Sequence, residues 1–201
     1  KVNTKYCTFS GDDDFLSTDG VEESIKFLEN NHNYAASHGK ILHVVFKDNN
    51  QKNIIDVSEY KAMGFDNSYQ SSIDRFKYTL KNYQTSTFAI HRTEIFKRTM
   101  SHIDEKKIEL NDRTLNPDII LNNELLPNFL SCCLGKNKFI DKLYMIRTSI
   151  LTESKINYFT QKSIYDYFNS EKGKETIKKF NNTLAKEITL VDKNSFEKNL
   201  K

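Results

Sequence analysis

Three cysteines in 201 residues, one alone and two adjacent, exclude a disulfide framework and a zinc-binding spacing alike. Cys7, Cys132 and Cys133 read instead as small hydrophobes of a protein kept in a reducing compartment, which points to the cytoplasm. No apolar run approaches the ~20 residues that cross a bilayer. The opening Lys1-Val2-Asn3 is not the apolar segment of a signal peptide. Any membrane contact is therefore expected to be peripheral, at the inner face. An excess of one charge is missing too. The 30 basic and 27 acidic side chains leave a net +3 spread along the chain, so no polycationic face forms and nucleic acid is not an expected partner. Internal repeats and low-complexity linkers are also absent, and the length suits one domain with a helical appendage.

What is present is acidic. Asp12, Asp13 and Asp14 follow Gly11 and the strand-forming stretch Tyr6-Cys7-Thr8-Phe9-Ser10, so they are expected together at a strand's C-terminal end. Open α/β sheets place their ligand sites there. Three adjacent carboxylates repel unless solvated or neutralised, and hard divalent cations prefer such oxygen ligands. A metal site is the first hypothesis. A calcium loop is disfavoured, because Leu16 takes the third alternating ligand position after Asp12 and Asp14.

Beyond the triad, Asp19 and Glu22 have capping-box spacing, and Val21, Ile25 and Leu28 predict a helix from about Asp19 to Asn30. The run Ile41-Leu42-His43-Val44-Val45-Phe46 predicts a strand covered on both faces, ended by polar residues from Lys47. Ile73, Phe76 and Leu80 mark a second helix, and Ser86 to Ile90 predicts a strand running into His91 and Arg92. A helix is expected to begin near Pro117, and Pro127 to sit in the first turn of another that Gly135 closes. Lys142 to Arg147 predicts the last strand, and from about Thr160 the pattern is helical. The lysines at 172, 174, 178 and 179 read as a solvated helix face.

In order and spacing, Tyr6-Cys7-Thr8-Phe9-Ser10-Gly11-Asp12-Asp13-Asp14-Phe15-Leu16, Phe88-Ala89-Ile90-His91-Arg92-Thr93-Glu94 and Asn123-Glu124-Leu125-Leu126-Pro127 resemble a bacterial family-2-like glycosyltransferase domain of the GT-A fold. Gly135-Lys136 and Leu143 to Arg147 extend the resemblance over most of the chain. It implies an α/β fold: residues 1–159 as the C-terminal part of a partial GT-A core, Rossmann-like with a mixed sheet, and 160–201 as a helical extension.

The resemblance further implies that Asp12 and Asp14 match the family's Asp-x-Asp motif, holding Mg²⁺ or Mn²⁺ against a nucleotide-sugar diphosphate, while Asp13 supplies a ligand or contacts the sugar. Glu124 matches the base that deprotonates the hydroxyl of a glycan or other acceptor, with inversion at the sugar, although the usual Glu-Asp pair is replaced here by Asn123-Glu124-Leu125. An acid favoured by a helix N-terminus reads equally well at that position. Arg92 and Arg147, at predicted strand ends, are candidates to grip phosphate, and His38 and His91 to orient substrate. The strand and helix units that bind the nucleotide base would precede Lys1, and the chain reads as an internal fragment. Two alternatives stay open: metal-dependent nucleotidyl or phosphoryl transfer, and a non-catalytic carbohydrate-binding or assembly module.

Overall fold

A computed structural model describes residues 2–48, 52–60, 66–103, 120–151 and 166–199. The chain is α/β. Among the described residues the six strands are β1 (Tyr6–Cys7), β2 (Asp14–Leu16), β3 (Tyr34–Phe46), β4 (Ile54–Glu59), β5 (Ile90–Arg92) and β6 (Lys136–Ile150). They form one mixed sheet in the order β1-β5-β3-β6-β2. The centre is the parallel pair β3 and β6, paired from Tyr34 opposite Lys136 to Phe46 opposite Ile150 with register shifts after Tyr34 and on either side of Lys40. On its other edge β3 pairs antiparallel first with β5, at Ala36 and Ser37, and then with β4, from Leu42 to Phe46.

Both central strands are longer than their apolar runs predict. The first half of β3, Ala35-Ala36-Ser37-His38-Gly39, is buried but small and polar in composition, so it carries no β-branched signal. The ladder with β6 holds it extended. The predicted strand from Ser86 to Ile90 is corrected: Thr87 and Phe88 form a turn, and the strand is Ile90 to Arg92. The triad is not at the end of a long strand either. β1 is only two residues, Asp12 and Asp13 form a turn, and Asp14 opens β2. Arg147 lies inside β6, not at its end.

Helix α1 (Thr18–Asn30) starts from Ser17, not Asp19, and the expected capping box is replaced by backbone contacts to β6. Ser17 N donates to Tyr144 O at 2.8 Å. Gly20 makes this approach possible, since a Cβ there would stand 2.3 Å from Leu143 O. The helix packs Leu28, with Val21, Ile25 and Phe27, onto Ile41, Ile90, Tyr144 and Met145. On the same principle of apolar stripes, α2 (Ser72–Lys81), α4 (Leu126–Leu134) and α5 (Glu171–Asn199) join through Phe76, Leu126, Phe129, Leu130, Phe180 and Leu184. The helical extension thus shares a core with α4. Between these lies α3 (Thr93–Met100).

The helix expected near Pro117 and the boundary at 159/160 lie outside the described residues. Pro127 does sit in the first turn of α4, preceded by a π-helical stretch, Ile120–Leu125. Cys132 and Cys133 are buried in α4, and burial pushes their thiols up to about 11 and about 12, so they stay protonated and inert. No helix among the described residues is long and apolar enough to cross a membrane.

Candidate functional site

Gly11 sets the geometry of the acidic turn. Its N–H donates to Asp14 Oδ2 at 3.0 Å, and its carbonyl accepts from Asp14 N at 3.4 Å. A Cβ on Gly11 would stand 2.7 Å from Asp13 Oδ1 and 2.9 Å from Asp14 Oδ2, so the absent methyl is the space into which these two carboxylates converge. The alternation that would put Asp12 beside Asp14 on a strand does not apply in a turn, and Asp12 and Asp13 both stand exposed. The turn is pinned to β6: Thr148 donates to Asp13 O from its N–H at 3.3 Å and from its hydroxyl at 2.9 Å.

Register brings Asp14 opposite Arg147, and Arg147 opposite His43. Arg147 Nε lies 3.5 Å from Asp14 Oδ1. The Asp14 side chain is 0% exposed, and Oδ1 has no hydrogen-bond partner. The guanidinium rests on aromatic faces, 4.4 Å from the Phe88 centroid and 5.6 Å from that of Tyr60. Delocalised charge over a ring quadrupole holds it there without hydrogen bonds. Phe88 is itself fixed, because its carbonyl accepts from Tyr144 Oη at 2.6 Å and Thr8 Oγ1 at 3.0 Å.

Glu124 is exposed, in the π-helical stretch before α4. It reaches this cluster indirectly, through Asn128 one turn on. Asn128 Nδ2 donates to Glu124 O at 2.8 Å and to Tyr83 Oη at 3.2 Å. Its Oδ1 accepts from Ser86 N at 2.8 Å and Ser86 Oγ at 3.0 Å, and from the hydroxyls of Thr85 and Thr87. The loop so held leads directly into Phe88. Burial, reinforced by the neighbouring Glu124 charge, pushes the Tyr83 phenol up to about 12 and keeps it protonated. Asn128, Phe88 and Tyr60 were missed in the sequence. The signal for Asn128 was there: a lone amide in Leu126-Pro127-Asn128-Phe129-Leu130 must satisfy itself if that helix is buried.

The other candidates stand apart. Arg92 pairs with Tyr6 in β1, at the far end of β3 from the His43 and Arg147 row, roughly 25 Å away at the usual rise per residue. Its guanidinium donates to the carbonyls of Tyr34, Leu28 and Asn31, closing the C-terminus of α1, and so has little left for a phosphate. His38 is buried on the sheet face opposite Arg147, its Nδ1 3.3 Å from Gly39 O and its ring against Phe139. Burial takes its pKa down to about 4, so it is neutral. His91 is likewise buried, with Nε2 2.8 Å from Ser86 O. A cleft of about 610 Å³ between α1 and the first half of β6 is lined by Glu23, Lys26, Phe27, Asp66, Lys138 and Asp141. Lys138 and Asp66 pair there at 2.7 Å, and the carboxylates of the triad are not part of it.

Among the described residues no three His, Cys, Asp or Glu side chains converge on one point. Asp14 Oδ1, buried and without a hydrogen bond, nevertheless fits the way Mg²⁺ is held, by one or two carboxylates and otherwise by substrate phosphate and water, while the Asp13 carboxylate lies by the other oxygen, Oδ2. No protein-family model matches the sequence, and no curated protein matches it.

Proposed function

We propose that this chain is the metal-binding and acceptor-side part of a metal-dependent, inverting glycosyltransferase of the GT-A type, acting in polysaccharide or glycoconjugate synthesis at the cytoplasmic face of a membrane. The observation that carries the reading is Asp14 Oδ1: a buried carboxylate oxygen with no hydrogen bond, between the acidic turn and an arginine held on aromatic rings 3.5 Å away. A lone buried acceptor of this kind costs stability unless something binds it.

In this reading Asp14, with Asp12 or Asp13 of the same turn, would hold Mg²⁺ or Mn²⁺, whose chemistry there would be to offset charge on the departing diphosphate. Arg147, with its guanidinium preset on Phe88 and 26% exposed, offers N–H donors to the same phosphates. Glu124 takes the proton of the acceptor hydroxyl as that oxygen bonds to the anomeric carbon and the bond from carbon to diphosphate oxygen breaks. The Asn128 amide keeps the Glu124 turn and the loop before Phe88 in fixed relation. Donor sugar and acceptor are chosen by pocket shape.

The test is nucleotide-sugar turnover by the full-length protein with Mn²⁺, followed by product analysis. Asp14→Asn should abolish metal-dependent turnover. Glu124→Gln should keep donor affinity and lose roughly 10²–10⁴-fold in rate. Unchanged turnover in Asp14→Asn overturns the proposal, and a nucleotidylated or phosphorylated product assigns the site to that transfer chemistry.

A further inference from the structure

Asp14 offers one oxygen free of hydrogen bonds. Oδ2 is engaged by the Gly11 N–H, and Oδ1 lies in a side chain closed to solvent. The charged group standing over Oδ1 is the Arg147 guanidinium, whose Nε approaches to 3.5 Å, beyond a good charge-assisted hydrogen bond. Arg147 is thus near enough to neutralise Asp14 but not bonded to it. Its placement comes from Phe88 and Tyr60 at 4.4 and 5.6 Å, and a charge over a ring face is free to slide, unlike one in a bidentate fork.

Given the proposed metal site, we infer that Arg147 and the divalent cation are alternative counter-ions of Asp14: the guanidinium neutralises Oδ1 in the cation-free protein, and must leave it when a cation binds. Two positive groups at one carboxylate oxygen repel, and Oδ1 cannot be reached while the guanidinium covers it. The displaced guanidinium then has its donors free for an anion beside the cation. Cation arrival and phosphate capture become one movement of one side chain, with Phe88 as the shelf along which it moves.

Mn²⁺ binding to the full chain, read from loss of the free-ion paramagnetic resonance signal, tests this without turnover. Arg147→Met keeps an unbranched stem over Phe88 and removes the charge. A unit charge about 5 Å from a divalent ion, even fully screened by water, weakens its binding roughly tenfold, so Arg147→Met should bind Mn²⁺ at least about tenfold tighter. Arg147→Lys keeps the charge but not the planar stack on Phe88, and should bind Mn²⁺ more weakly than Arg147→Met. In the wild type, whose folding is not at issue, saturating Mg²⁺ should shift the Arg147 Nε–Hε resonance. Equal or weaker Mn²⁺ binding by Arg147→Met, or an unmoved resonance, overturns the inference and leaves the metal reading standing. No Mn²⁺ binding by any of the three proteins removes both.

Discussion

Asn128 and Ser86, forty-two residues apart, meet through one oxygen: Asn128 Oδ1 accepts both the backbone N–H and the hydroxyl of Ser86. With the bonds to Thr85, Thr87, Tyr83 and Glu124 O, the amide is the joint between the start of α4 and the loop that presents Phe88. Asn128→Ala should therefore cost about 2–4 kcal/mol, since it leaves several buried polar groups bare at once. Urea unfolding measures this. Asn128→Asp should rescue little, because the new carboxylate oxygen would face the Glu124 carbonyl that Nδ2 now serves.

Arg92 should prove structural. Replacing it with Met removes the charged hydrogen bonds to the carbonyls of Leu28, Asn31 and Tyr34, leaving the first two with one backbone donor each, and the expected loss is about 2–4 kcal/mol in equilibrium unfolding. Arg92→Lys should fail to restore it, since one ammonium cannot span carbonyls that a planar fork spans. Mn²⁺ affinity of whichever variant folds should match the wild type. A large change there would return Arg92 to the ligand site.

Acid should unfold this protein through two neutral histidines. His38 and His91 both have folded pKa values depressed by burial from 6.5 to about 4. Between those values the unfolded state binds more protons than the native state, so stability is full above pH 6.5 and falls as pH drops toward 4. Each contributes on the order of 3 kcal/mol over that window. Unfolding midpoints measured from pH 7.5 to 4.5 should decline, and His38→Gln should flatten the slope. A flat profile in the wild type would mean that neither ring is buried in solution.

Much of the helical layer was legible, because α1 and α2 carry their apolar residues at the spacing of one face. The sheet was only half legible. Ile41 to Phe46 and Leu143 to Ile146 advertise strands, whereas Ala35 to Gly39 and Lys136 to Lys142 are held extended by their ladder with each other and, for Ala36 and Ser37, by β5. Ser86 to Phe88 looks like a strand by composition and is a turn, because its donors are taken by Asn128. At the site, Asp14 and Arg147 stood out as residue types, but their opposition across β2 and β6 is a matter of register. Arg92 carried the same type signal and went to a helix end, a destination that depends on how α1 returns to the sheet.

The central ladder joins Tyr34 to Lys136, so about a hundred residues of chain must be made before its first rung can close. At ribosomal rates of roughly 5–20 residues per second, β3 waits some 5–20 s with one long edge bare. The hairpin with β4 forms early but carries Ile54, Ile55 and Val57 exposed, which makes the nascent chain sticky in that interval. Slow, late closure of a non-local pair sets the folding clock. Yield on expression will depend on what shields β3 while the rest of the chain is being synthesised.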